Sequence, residues 1–188
     1  RERTAHIRDV RSSATTALPL AEVALLAPVD EQEIWAAGVT YERSRDARKE
    51  ESQSDDLYER VYDAARPEIF FKSPAYRCMA PFEPIAVRPD SEWNVPEPEL
   101  ALVIDGHGEI AGYTIGNDVS SRSIEGENAL YLPQAKIYTA SCSLGPWVAL
   151  ADEVPDTTSL AICMRIERGG SELWSGETST SQMHRTFT

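Results

Sequence analysis

The stretch at residues 93–122, WNVPEPELALVIDGHGEIAGYTIGNDVSSR, decides the fold. Two apolar runs, PELALVI and EIAGYTIGNDVS, are joined by Asp105-Gly106-His107-Gly108. Apolar runs either side of such turn residues predict a β-hairpin. The hairpin has a chemical consequence. Side chains alternate along a strand, so Glu97 and Glu99, two residues apart, share a face. A turn centred on 106–108 brings the region of Asp118 back beside 95–99. Three carboxylates then converge. Packed together they repel and raise one another's pKa, and a divalent cation bound by oxygens removes that cost. The plainer reading of Glu-Pro-Glu is a solvated strand edge, which Pro96 and Pro98 suit, with Asn117-Asp118 as a turn. Spacing leaves both readings open.

The chain has 188 residues, enough for one domain or one with a small appendage. With 31 acidic residues against 18 basic ones its formal charge is −13, so nucleic acid is repelled. Only Lys49, Lys72 and Lys136 are lysines; an acidic, arginine-rich chain fits a salt-adapted host or a GC-rich genome. No apolar run reaches the roughly 18–20 residues of a membrane span, and RERTAHIRDV has no signal-peptide core. Cys78, Cys142 and Cys163 are odd in number and lack CxxC spacing, which favours a reducing cytoplasm over a disulfide framework. His6, His107 and His184 are too far apart for a zinc motif.

Working outward, EIWAAGVTY (33–41), EIFFKSP (68–74) and PIAVRPD (84–90) read as strands. LGPWVALADEVPD (144–156) reads as a strand and a turn, and 160–180 as two strands around Gly169-Gly170. Residues 119–138 carry a Ser-rich turn, a short helix and a loop. One substantial helix is predicted near 46–65, with Leu57, Val61 and Ala64 setting its period. Residues 1–30 read as a lead-in or the remnant of a small N-terminal subdomain, and 31–188 as the main domain. Its end, QMHRTFT, has no closing strand, so the fold is expected to be incomplete there. The class is mainly β with some α, α+β.

The motifs Glu97-Pro98-Glu99-Leu100-Ala101, Gly112-Tyr113-Thr114-Ile115-Gly116-Asn117-Asp118-Val119-Ser120-Ser121-Arg122, Lys136 and Leu144-Gly145-Pro146 resemble the fumarylacetoacetate hydrolase family. The resemblance runs from about residue 33 to the end. It implies a mixed β-roll, a divalent metal (Mg2+ or Mn2+, with Ca2+ an alternative) and a 2-oxo acid or 1,3-dicarbonyl substrate. The metal ligands carried over are Glu97, Glu99 and Asp118. The resemblance also implies homodimers and calls for no organic cofactor.

Hydrolytic members of the family place a catalytic His just after a Tyr near the first core strand. Here Tyr41 is followed by Ser44 and Asp46 at the candidate positions, and Val39 stands where some members have a further Asp ligand. The run GVTYERSRDARKEES is instead similar to the 2-keto-3-deoxy-D-arabinonate dehydratase branch, which acts in pentose catabolism. That implies a lyase giving 2,5-dioxopentanoate. In this reading Lys136 contacts substrate or transfers a proton, its pKa depressed beside a metal. Arg43 and Arg45, with Arg48, hold the substrate carboxylate or close a lid, and Lys72, Ser73 and Gln134 are pocket residues. Tyr41, Tyr113 and Cys142 are read as packing, and His107 as exposed. The alternatives are an acylpyruvate-type hydrolase, a 2-oxo acid decarboxylase or an isomerase on the same site. Outside enzymes, the alternatives are a non-catalytic small-acid-binding protein and a carboxylate-rich β domain without a metal.

Overall fold

The computed structural model describes residues 2–42 and 55–187. Its centre is the expected hairpin. Strand β5 (Pro98–Ile104) pairs antiparallel with β6 (Ile110–Asp118). The turn is held by Asp105, whose Oδ1 accepts from the backbone N–H of His107 (2.7 Å) and of Glu109 (3.1 Å). Gly108 has φ +81°, a conformation that glycine adopts without steric cost. Strand β8 (Cys142–Leu150) packs on the other side of β6, and short β3 (Cys78–Met79) joins β8 in parallel, giving the order β3-β8-β6-β5.

Three two-stranded ribbons surround this sheet. β1 (Glu33–Gly38) pairs with β2 (Glu68–Pro74), β4 (Asn94–Val95) with β7 (Ser120–Ser121), and β9 (Ala161–Arg168) with β10 (Ser171–Ser179). All three pairs are antiparallel. The mainly-β reading holds, as do the strands expected near 33–41, 68–74 and 144–156 and both strands of 160–180.

One expectation changes. PIAVRPD forms no strand. Pro84 and Pro89 lack the N–H a ladder needs, and within the run Ala86 N–H bonds Ala140 O at 2.9 Å. Val87 is left 58% exposed. At the other end, residues 2–13, within the expected lead-in or subdomain remnant, form a helix, α1 (Glu2–Ser13). Its residues include no Gly or Pro, but Ile7 and Val10 both face solvent. A helix without a buried stripe leaves no apolar period to read.

The helix expected near 46–65 is seen as α2 (Asp55–Asp63); residues 46–54 lie outside the described residues. It stops before Ala64. Arg185 Nη2 donates to Val61 O and Tyr62 O, both at 2.9 Å, satisfying carbonyls of the last turn. Tyr62 stacks on His184, with ring centroids 4.4 Å apart. His184 N–H in turn bonds Thr40 O, and Tyr41 bridges to Met183. The segment after β10 thereby fixes Tyr41 and the end of α2 beside the hairpin.

Two short helices follow β7. Ser121 caps α3 (Arg122–Glu127) by accepting from Ile124 N–H at 3.3 Å. α4 (Leu132–Lys136) ends on Lys136, whose carbonyl accepts from Ser141 Oγ at 2.9 Å.

Candidate functional site

The hairpin register places Pro98 opposite Asn117 and Glu99 opposite Gly116. Two further bonds tie the strand ends. Asp118 N–H donates to Glu97 O (2.9 Å), and Glu97 N–H donates to Asn117 Oδ1 (3.1 Å). Glu97, Glu99 and Asp118 therefore line one wall of one pocket of about 400 Å³, together with Lys136, Arg122 and Glu125. Tyr41, Phe70 and Leu132 give it apolar surface. That size suits a small ligand.

The carboxylates are not alike. Glu97 is held on both oxygens: Arg122 Nη2 lies 2.8 Å from Oε1, and Lys136 Nζ lies 2.6 Å from Oε2. Ser120 Oγ also donates to Oε2 at 3.1 Å. Asp118 is buried between two ammonium groups, with Lys136 Nζ 2.8 Å from Oδ2 and Lys72 Nζ 2.6 Å from Oδ1. Among the described residues no such cation lies against Glu99. Burial, then the charges of Glu97 and Asp118, push its carboxyl from 4.5 up to about 8, and Lys136 offsets only part of this. Glu99 also helps raise the Tyr41 hydroxyl to about 12, after burial.

The depression expected of Lys136 is that of a cation beside a bound metal; in the metal-free fold its carboxylate neighbours decide. Burial does disfavour its charge, but Glu97, Asp118 and Glu125 outweigh that and hold the ammonium above the ordinary lysine value. Its Nζ also donates to Ser120 Oγ at 2.6 Å and sits 5.4 Å from the Phe70 ring centroid. Lys72 goes the other way: burial lowers its pKa, with Asp118 opposing.

Lys72 and Ser73 do not line the pocket. Lys72 is 1% exposed and reaches Asp118 from behind, while also donating to Val119 O (2.9 Å) and Lys136 O. It positions a carboxylate and the end of α4, a role different from the expected substrate contact. Ser73 is buried and bonds Pro74 O at 3.0 Å. Gln134 is exposed on α4, two residues before Lys136 and so on another side of the helix; its carbonyl accepts from Arg88 Nη1. Arg43 and Arg45 lie outside the described residues. Arg122 and Glu125 were not anticipated as site residues. Arg122 bridges the two carboxylates, with Nη1 2.6 Å from Glu125 Oε2 and Nη2 on Glu97.

Known proteins share this sequence and fold. A family model, fumarylacetoacetate hydrolase C-terminal, matches residues 33–188. The chain belongs to the fumarylacetoacetate hydrolase family. Within it the chain is 57% identical over 159 residues to a probable 2-keto-3-deoxyxylonate dehydratase of Haloferax volcanii, covering 85% of this chain and 55% of the relative. It is 47% identical over 168 residues to the 2-dehydro-3-deoxy-D-arabinonate dehydratase of Saccharolobus solfataricus, covering 87% and 56%. The chain thus spans little more than half the length of either relative. A solved 2-keto-3-deoxy-D-arabinonate dehydratase, complexed with magnesium and 2,5-dioxopentanoate, superposes with a TM-score of 0.79 at 41% identity, covering 95% of this chain and 60% of that one.

The donor set fits a hard divalent ion. Three carboxyl groups line the pocket, and burial with its two acidic neighbours disfavours the ionised form of Glu99, a cost that a bound cation would lift. As the side chains stand, no three His, Cys, Asp or Glu groups among the described residues already enclose an ion, and the Lys136 ammonium spans Glu97 and Asp118. The site is a preassembled wall of oxygens with a resident cation that a metal must compete with.

A pH signature follows. In the metal-free fold Glu99 keeps its proton up to about 8, whereas an unfolded glutamate loses it near 4.5. The native state binds the extra proton, so the contribution of Glu99 to stability is full below about 4.5 and is lost as pH rises through about 8. In EDTA, Glu99→Gln is expected to flatten that fall. The variant should melt higher than wild type at pH 8.5 and within a degree or two at pH 4.5. Equal melting temperatures at both pH values would show that Glu99 is not under this strain.

Proposed function

We propose that the protein catalyses the divalent-metal-dependent dehydration of a 2-keto-3-deoxy sugar acid to 2,5-dioxopentanoate, as a lyase of pentose catabolism. The observation that carries this is the wall of Glu97, Glu99 and Asp118 with Lys136 against it, in a pocket with no histidine among its described lining residues. A hydrolase of this family needs a base to activate water, and none of the expected type lines the pocket among the described residues. The identities to two dehydratases, one of them 57%, support the same reaction.

In this reading Glu97, Glu99 and Asp118 hold Mg2+ or Mn2+. The ion supplies Lewis acidity at the oxygens of the 2-oxo acid, which makes the neighbouring C3 protons more acidic. The chain's own residues do the rest. Lys72 keeps Asp118 fixed from the protein side. Arg122 and Ser120 orient Glu97. Lys136, held as an ammonium, presents a cation to the substrate carboxylate, and the apolar surface of Phe70 and Leu132 limits water. Arg43 and Arg45 remain candidates for the carboxylate clamp. The homodimer and cytoplasmic setting belong to the proposal too. Tyr76 and Phe82, 81% and 99% exposed, offer aromatic surface for a second copy to cover.

The test is a coupled assay with purified protein, Mg2+ and 2-keto-3-deoxy-D-arabinonate, following 2,5-dioxopentanoate. Turnover that EDTA abolishes and Mg2+ restores is expected. Hydrolysis of acylpyruvates with no dehydration would replace this reading with the hydrolase one.

A further inference from the structure

The dehydration needs a group that takes a proton from C3, and the three ligand carboxylates are committed elsewhere. Among the described lining residues, Tyr41 is too weak an acid to stand ionised near neutral pH, with its hydroxyl raised to about 12. Lys136 Nζ is taken up by contacts to Glu97, Asp118 and Ser120. Two carboxylates remain, Glu68 and Glu125. Glu68 is exposed on β2. Glu125 is 6% exposed, yet it lines the pocket.

We propose that Glu125 is the catalytic base, an assignment that rests on the dehydratase reading. Three features of its placement support the role. Arg122 Nη1, 2.6 Å from Oε2, fixes the direction of the carboxylate. The same guanidinium holds Glu97 through Nη2 at 2.8 Å, so base and ligand wall are set relative to each other by one rigid fork. Glu125 also lies in the first turn of α3, capped by Ser121, rather than on a loose loop.

The step balances with no co-reactant. The C3–H bond breaks, its proton goes to Glu125, and its electron pair forms a C2–C3 double bond as the C2=O π pair moves onto the C2 oxygen. That oxygen pair then re-forms C2=O, the C2–C3 pair moves to C3–C4, and the C4–O bond breaks with its electrons leaving on the hydroxyl. The departing hydroxyl takes the proton back from Glu125 and leaves as water, restoring the carboxylate. One proton from C5 and one from its hydroxyl then pass to C3 and C4, giving the 2,5-dioxo acid.

Proton exchange separates this proposal from the reading it rests on. In D2O with Mg2+, C3 exchange is followed by NMR on 2-keto-3-deoxy-D-arabinonate and on 2-oxobutanoate, which has C3 protons but no C4 hydroxyl. Glu125→Gln, close to isosteric and able to accept from Arg122, is expected to slow exchange on both and dehydration by about 10²–10⁴-fold. Its KM should stay within about threefold of wild type and its melting temperature near wild type. Formate should restore part of the exchange to Glu125→Ala. Exchange by Glu125→Gln at the wild-type rate, or its loss in Glu68→Gln instead, overturns the assignment. Wild-type exchange without dehydration discards the dehydratase reading and leaves the base to be judged by exchange. No exchange in the wild-type protein overturns both.

Discussion

Lys72→Met is expected to be among the most destabilising single substitutions in the described fold, costing about 3 kcal/mol. The side chain is 1% exposed and its ammonium serves three oxygens: Asp118 Oδ1, Val119 O and Lys136 O. Methionine fills the volume of the stem and supplies none of these bonds. Breaking a buried ion pair from one side costs about 3–5 kcal/mol, because the remaining charge is left without its partner. The lower end applies here, since Lys136 still reaches Asp118 Oδ2. Urea unfolding checks it: the midpoint should fall with the m-value unchanged. A midpoint within 0.3 M of wild type would show that Lys72 does not hold Asp118 in place. Lys72→Met/Asp118→Asn sharpens the test, because the two single losses should sum to more than the double loss.

Lys72 also shows what a sequence can and cannot disclose. FFKSP reads correctly as a strand, but a lysine in a strand carries no mark of whether it faces a ligand or a buried partner. Only the pairing of β1 with β2 and the placement of α4 decide that, and both are long-range. The hairpin was legible for the opposite reason. Its signal is local: an Asp-Gly turn, two apolar runs of matching length, and a period of two. Register then follows from turn length, so the meeting of Glu97, Glu99 and Asp118 could be deduced before any contact was known. PIAVRPD has the same apolar content but is bounded by prolines, and composition outweighed backbone chemistry in reading it as a strand.

Arg122 and Glu125 were missed because their roles depend on a helix only six residues long. Such a helix has no period to detect. The usable signal was present, though: Ser121 as an N-cap puts Arg122 and Glu125 one turn apart, where opposite charges pair. The ion-pair network is thus a local feature of α3 joined to the hairpin through Glu97. Cys142 was read correctly as core, and it stands opposite Asp118 in the β6–β8 pairing.

Asp118→Asn is expected to have the largest effect on the site. Asparagine keeps the shape but removes the charge that two buried ammonium groups share. Loss of an outer partner of a metal ligand commonly weakens binding by about 10–100-fold. Loss of a ligand's own charge should exceed that, so Mg2+ affinity is expected to drop more than about 100-fold by calorimetry, with turnover falling in step. Stability should fall as well, because Lys72 loses its one carboxylate partner at Oδ1. Glu99→Gln gives the contrast that separates the two causes. It too should weaken Mg2+, but it relieves a carboxyl already held near 8 and so should stabilise the metal-free protein at high pH. If both variants weaken Mg2+ while shifting metal-free stability in opposite directions, the trio is one ligand set built from two electrostatic environments. If neither changes Mg2+ affinity, the three carboxylates are an ordinary buried charge network and the metal lies elsewhere.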